Sequence, residues 1–321
     1  MRFLPALKRL DWFVLTLLAI MILGIFVPLP SPAVDFFATV SHWAIVVLFF
    51  VYGAKLNSEE VIGGLKNLRL QVAILLSTFV IYPLLGLLNH ALIGRLLGAG
   101  FALGMFYTTL LPSTVQSSIG FTSIARGNVP GAVTAATVSN LLGTFLTPLL
   151  VMLFLQKGTT ISLTTLRDIA LLILLPFVLG QLSGRWTRSW LRTHPIVTKI
   201  VDKGTIYLVV ISAVSSAKLQ GLWDTVSPRD FLVIGLDAVV IVGIMLIFTW
   251  FVFGSLFKMP RADRIALLMC GSKKSLATGL PMALIIFPAN QVGHIMVPIM
   301  LLHLLQLLMC SLLATKLSRR S

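Results

Sequence analysis

The sequence predicts an all-α polytopic membrane protein, with ten transmembrane helices arranged as two inverted five-helix repeats. Three observations carry this. With 57% hydrophobic and 11% charged residues over 321 positions, and a mean hydropathy of +0.99, the chain has too little polar surface to cover a water-soluble globule. Ten apolar segments approach the roughly 20 residues that span a bilayer, at 12–28, 36–56, 68–90, 98–125, 129–156, 163–183, 204–223, 231–257, 264–287 and 291–315. The basic residues also alternate by connection. With the N-terminus in the cytoplasm, eighteen of the 25 Lys and Arg fall on the cytoplasmic side and five (Arg95, Lys157, Arg167, Lys218, Arg229) on the other, leaving Lys273 and Lys274 within a span. That asymmetry is what an even number of crossings with both ends in the cytoplasm gives. The formal charge of +15 is therefore topological, with anionic headgroups of the lipid bilayer rather than nucleic acid as its partner.

The elements follow in order. Arg2, Lys8 and Arg9 precede the first apolar run as in a secretory signal, but no small-residue cleavage site follows, so a retained helix is expected before the proline-rich loop PLPSPAVD at 28–35. The second and third segments are uninterrupted, whereas the fourth carries Pro112 and a run of hydroxyl residues, so it is expected to break. In the fifth, Thr134, Thr137, Ser139 and Asn140 make one side polar; they either line a site with that break or bond across helices. The connection GRWTRSWLRTHPIVTK at 184–199 is the most basic and sets Trp186 and Trp190 at an interface. Segment seven is diluted by Ser212, Ser215, Ser216 and Lys218, and segment eight holds Asp237 some seven residues in. The ninth contains Gly271, Ser272, both lysines and Pro281, and is expected to break at the charges. Segment ten places His303 and Gln306 on one face. Division after the fifth segment gives repeats at 1–160 and 161–321, of opposite orientation because five is odd, with the broken segment fourth in each. Cys270 and Cys310 both lie in apolar segments and read as buried thiols rather than a disulfide.

Two clusters stand out as a candidate substrate or ion site. At the first break, Thr114, Gln116, Ser117 and Ser118 form a polar run that is expensive in lipid unless used or internally satisfied, with Ser117 a natural N-cap if the helix restarts there. At the second, Ser272 and Ser275 flank Lys273 and Lys274. A charged side chain near the bilayer centre costs at least about 2.5–3.5 kcal/mol, so such groups face protein or a water-filled cavity. Consecutive residues on a helix point about 100° apart, so the two lysines do not share one partner. Three roles are open: a fixed counter-charge, a titrating proton carrier, or a ligand for a carboxylate, sulfate or phosphate. An ion pair with Asp237 is one expectation, a carboxylate reaching water at the outer boundary the other. No His, Cys and carboxylate cluster has metal-ligand spacing, and no nucleophile and base pair points to an enzyme.

The runs PSTVQSSIGFTSIARGNVPGAV (112–133), GAKLNSEE (53–60) and GSKKSLATGLPMA (271–283) make the chain similar to the bile acid:sodium symporter superfamily, more closely its SBF-like branch, over nearly its whole length. The resemblance implies a panel domain of helices 1, 2, 6 and 7 and a core domain of helices 3, 4, 5, 8, 9 and 10, with helices 4 and 9 broken and crossing. In relatives, organic anions enter a crevice between core and panel, with sodium held behind it. By the same resemblance, the family's sodium-site serine and asparagine at the first break fall on Ser117 and Ser118. At the second break its glutamate falls on Met269, its glutamine on Lys273 and the next asparagine on Lys274. Oxygen ligands and negative charge hold sodium, so a thioether beside an ammonium does not make that site. Lys273 is expected to stand where a sodium ion would, with coupling by protons or none, and no cofactor. The sequence thus leads to a secondary transporter of a small organic anion in the plasma membrane, the inner membrane of a bacterium, for which the fold requires no oligomer. A non-transporting membrane regulator or scaffold, in calcium or envelope homeostasis, is the alternative.

Overall fold

The computed structural model describes residues 12–55, 67–155 and 167–319, and among them every regular element is helical. In chain order these are α1 (Trp12–Phe26), α2 (Ser31–Lys55), α3 (Leu68–Leu97), α4 (Ala99–Thr109), α5 (Gln116–Ile124), α6 (Val129–Leu155), α7 (Arg167–Thr193), α8 (Pro195–Leu219), α9 (Pro228–Leu256), α10 (Arg261–Gly271), α11 (Leu276–Ile286) and α12 (Ala289–Ser318). A single helical turn, Leu222–Thr225, precedes α9. Seven of these helices (α2, α3, α6, α7, α8, α9 and α12) are long and apolar enough to cross a membrane by length and composition. The chain is an integral multi-pass membrane protein. The fourth and ninth segments are each split, as α4 with α5 and α10 with α11.

Local chemistry fixes the ends. Asn67 caps α3, its side-chain oxygen accepting from Leu70 N at 3.3 Å. Ser227 and Asp230 form a reciprocal capping box ahead of α9 with Pro228 at the first helical position. Gly98, at φ 85°, supplies the left-handed turn that folds α4 back on α3, a conformation a side chain would resist. Asp263, in the first turn of α10, accepts from Asn67 Nδ2 at 2.7 Å and Asn128 Nδ2 at 2.6 Å, while Asn128 Oδ1 accepts from Gly131 N at 2.9 Å. One carboxylate thereby ties the starts of α3, α6 and α10 together.

The helices pack in two groups. α1, α2, α7 and α8 lie against one another, and α3 to α6 pack with α9 to α12; α8 joins the groups through α11 and α12. Within the first group, α2 and α7 approach backbone to backbone. A methyl group built on Gly53 would sit 1.9 Å from Phe177 O, and one on Gly180 would sit 2.0 Å from Phe50 O. Only glycine permits that approach.

Several boundaries expected from sequence shift. Helix α7 runs ten residues past 183, and α8 begins at Pro195 rather than 204, so the basic stretch 184–199 is helical except at His194. Long Lys and Arg side chains keep their charges wet while the helix continues beyond the hydrocarbon, so charge density does not mark a loop. The proline-rich loop is shorter than expected, because α2 starts at Ser31 with Pro32 in its first turn. Residues 56–60 of the GAKLNSEE run, Lys157, and Arg2, Lys8 and Arg9 lie outside the described residues.

Candidate functional site

The first break spans Leu110–Val115 and is held by donors from other elements. A helix end leaves its last carbonyls without intrahelical partners. Here Leu110 O accepts from Thr147 Oγ1 at 2.9 Å, Leu111 O from Lys274 Nζ at 2.7 Å, Pro112 O from Ser275 N at 2.8 Å, and Ser113 O from Asn140 Nδ2 at 2.8 Å. Ser139 Oγ accepts from Ser113 N at 3.0 Å. The polar side of the fifth segment thus divides: Ser139 and Asn140 serve the break, while Thr134 and Thr137 donate to carbonyls of their own helix.

The second break, Ser272–Ser275, is fastened to the first. Cys270 O accepts from Ser113 Oγ at 2.5 Å and Met269 O from Ser118 Oγ at 2.9 Å, whereas Ser272 Oγ turns back to Leu268 O. Tyr82 OH donates to Ser272 O at 2.9 Å, and the Gln306 amide grips Lys274, accepting from its N at 2.8 Å and donating to its O at 2.7 Å. The other Gln306 amide hydrogen meets His303 Nδ1 at 3.0 Å. Ser275 caps α11, and Thr278 carries the network on to Asn140 Oδ1 at 2.9 Å.

At this junction both lysines are buried, with 0% of Lys273 and 1% of Lys274 exposed, so neither snorkels to an interface. They point apart, as consecutive residues must. Lys274 Nζ donates to two carbonyls at 2.7 Å each, Thr78 O and Leu111 O, and lies 4.3 Å from the centroid of the Tyr82 ring. Both carbonyls lack a helical donor: Leu111 O lies at the broken end of α4, and Thr78 O, in the π-helical turn Ser77–Ile81 where Tyr82 N goes to Ser77 O, has Pro83 with no N–H as its i+5 residue. Lys273 Nζ donates at 3.3 Å to Ser117 Oγ and lies 4.6 Å from the Phe121 ring centroid. An ammonium has three donors, so Lys274 is nearly satisfied by backbone while Lys273 has one hydroxyl and a ring.

Of the residues expected from sequence, Lys273, Lys274, Ser272, Ser275, Thr114, Ser117, Ser118, Met269 and Asn140 all come together here. Thr114, Ser117 and Ser118 form a hydroxyl chain, with Ser117 Oγ donating to Thr114 Oγ1 at 2.8 Å and Thr114 and Ser118 sharing a bond of 2.8 Å. Gln116 opens α5 and is exposed beside them. Three expectations are corrected. Ser117 is not an N-cap, because α5 starts one residue earlier and Val115 holds that place without a side-chain bond. Asp237 does not pair with either lysine: Asn89 Nδ2 donates to both its oxygens, at 2.9 and 2.8 Å, tying α9 to α3. An amide one helix away satisfies the carboxylate at less cost than carrying it to a buried ammonium. Pro281, offered as part of the break, lies inside α11. Thr78, Tyr82, Phe121 and Thr147 were missed. The polar pair Ser77 and Thr78 ahead of Pro83 was a usable signal, but nothing marks an aromatic ring that will face an ammonium.

Residues 11–319 match the model of the SBF-like CPA transporter family. PA2026, an uncharacterized protein of Pseudomonas aeruginosa, is 41% identical over 321 residues, covering 99% of this chain and 95% of its own. YfeH of Escherichia coli, a candidate symporter, is 40% identical over 319 residues, covering 98% and 95%. The sodium/bile acid cotransporter 7 of Mus musculus is 25% identical over 280 residues, covering 86% and 82%. With a family match over almost the whole length and two relatives near 40% identity, the chain belongs to the SBF-like CPA transporter family, and is a multi-pass membrane transporter rather than an enzyme.

Proposed function

We propose that this protein is a secondary transporter of a small organic anion, working by alternating access, in which Lys273 takes the place of a bound sodium ion. The single observation that carries the reading is two broken helices bonded to each other around two buried ammonium groups, with no carboxylate, among the described residues, in their hydrogen-bond partners. Such a junction is a region of net positive charge in a low dielectric, which favours an anion and repels a second cation. Lys274 supplies the brace, spending its donors on backbone; Lys273 supplies the charge that faces the hydroxyl chain of Ser117, Thr114 and Ser118. Met269 offers a thioether where a sodium site needs oxygen. Coupling is then to protons or absent.

The architecture implied is ten spans in two inverted repeats, residues 1–160 and 161–321, with both termini cytoplasmic in a bacterial inner membrane. Its support is positional. In each half the fourth span is split, and in each the third span carries a π-helical turn, Ser77–Ile81 and Phe248–Phe253. Both turns meet Gly271: a methyl group built there would lie 3.1 Å from Ser77 Cβ and 3.2 Å from Thr249 Cγ2. The packing group of α1, α2, α7 and α8 corresponds to a panel, and the remaining helices to a core in which the broken spans cross.

Uptake into proteoliposomes tests the coupling. Replacing sodium by choline or lithium leaves transport unchanged on this reading, and strict sodium dependence would remove it. Lys273→Ala is expected to abolish transport while the protein stays folded; a variant that unfolds in detergent would instead make Lys273 a structural residue.

A further inference from the structure

The connection from α8 to α9 carries the chain from one packing group to the other, and it is fastened to the group it leaves. Gly221, at φ 72°, turns the chain back beside α8. Trp223 Nε1 then donates to Val214 O inside α8 at 3.0 Å, and Lys218 Nζ pairs with Asp224 at 3.0 Å. Leu222 and Trp223 are both buried. The tip of this strap meets the other group at α12. A methyl group built on Gly293 would collide with Leu222 Cδ2 and lie 2.8 Å from Ala217 Cβ, so Leu222 fills a socket that only a missing side chain leaves open.

Packing between the two groups is one-sided. Among the described residues, the buried apolar cluster that draws on both groups takes Val292, Ile295, Met296, Val297, Ile299 and Met300 from α12, all in its first half. Leu17 and Leu18 of α1 come together with Met300, His303 and Leu304 at its midpoint. The clusters around Leu70 and Ala314, toward the other end, take no residue from α1, α2, α7 or α8. One face of α8 shows the same gradient: Ala217, Val210 and Ile206 are buried, whereas Lys199, about five turns before Ala217, is exposed. Buried apolar surface therefore holds the groups together at the strap end and leaves them apart at the basic end.

We propose that the strap is the outer seal of this transporter: Leu222 seated on Gly293 holds the two groups closed at the end of α8, while the basic end stands open. The proposal rests on the alternating-access reading and on its topology, which puts Lys218 and Arg229 outside. Opening outward then requires Leu222 to leave Gly293 while Trp223 keeps the strap on α8. A strap that only linked two helices would need neither the bond to Val214 O nor a glycine opposite its tip.

Thiol chemistry on the full chain in lipid nanodiscs tests this without a substrate, so the seal can fail while uptake persists, or hold where uptake is absent. Leu222→Cys with Gly293→Cys should close a disulfide under mild oxidation. Adding Trp223→Phe, which keeps a ring but deletes the bond to Val214 O, should slow that closure about fivefold, the factor for one hydrogen bond of about 1 kcal/mol. Ala217→Cys, at a position 2% exposed beside the socket, should react slowly with a water-soluble maleimide, and at least tenfold faster once Gly293→Leu fills the socket. Leu222→Ala, which empties the socket without crowding it, should give the same rise. Cys270 and Cys310 are buried and should stay unreacted throughout, which separates an opened seal from an unfolded protein. Failure of the pair to cross-link, fast labelling with the socket intact, a rate that neither Gly293→Leu nor Leu222→Ala raises, or a rise that comes only with reaction at Cys270 and Cys310 would each overturn the seal.

Discussion

Replacing Lys274 with methionine keeps a long flexible side chain and deletes the ammonium. Two carbonyls, Thr78 O and Leu111 O, then lose donors that sit at 2.7 Å. A buried polar group left unpaired costs about 1–3 kcal/mol, so the pair costs about 2–6 kcal/mol. The variant also no longer buries a cation, which offsets part of that. The comparison with Lys273→Met isolates the bonds, because Lys273 is buried to the same degree, and the relief of desolvation is therefore similar. Lys273 gives up one contact of 3.3 Å to Ser117, whose hydroxyl keeps its bond to Thr114. Lys274→Met should therefore be less stable than Lys273→Met by at least about 2 kcal/mol. Thermal unfolding followed by tryptophan fluorescence, with both variants and the parent in one detergent, measures the difference. Equal midpoints, or a lower midpoint for Lys273→Met, would refute the division of labour between the lysines.

Asp263→Ala removes the acceptor for the amides of Asn67 and Asn128, and for two charge-assisted bonds in a half-buried setting we expect about 2–4 kcal/mol of lost stability. Unfolding within about 0.5 kcal/mol of the parent would show that the three helix starts do not depend on that carboxylate. Gly180→Ala drives a methyl group to 2.0 Å from Phe50 O and should cost about 1–3 kcal/mol by forcing α2 and α7 apart. Gly204→Ala, which meets nothing within 4 Å, is its control and should be neutral or slightly stabilising. Asp237→Asn should leave the transport rate unchanged, since the carboxylate is engaged by Asn89 and by neither lysine; a tenfold loss in proteoliposome uptake would return Asp237 to the site.

The sequence by itself determined what short-range chemistry determines. An apolar composition with few charges requires a bilayer, and in a bilayer backbone groups must be satisfied within helices. Pro112, and Gly271 with Ser272, could be read as the places where two spans open, since a missing donor and a run of small polar residues act within one or two turns. The lysine doublet was legible for the same reason: a charge in an apolar run has to be used or hidden.

Tertiary structure decided the partners. Thr78 and Leu111 lie 196 and 163 residues from Lys274, and no local pattern encodes that their freed carbonyls meet one ammonium. Pairing the two lysines with Asp237 failed because charge complementarity in sequence says nothing of distance, and the amide of Asn89 reached the carboxylate first. The ends of α7 and α8 were misplaced because arginine and lysine tolerate a helix surface as well as a loop, so the basic stretch does not reveal that α7 continues to Thr193 and α8 begins at Pro195. Bonds along the chain set some helix starts, as at Ser227 and Ser275. Which freed backbone group is satisfied by which side chain depends on contacts that exist only once the spans have assembled.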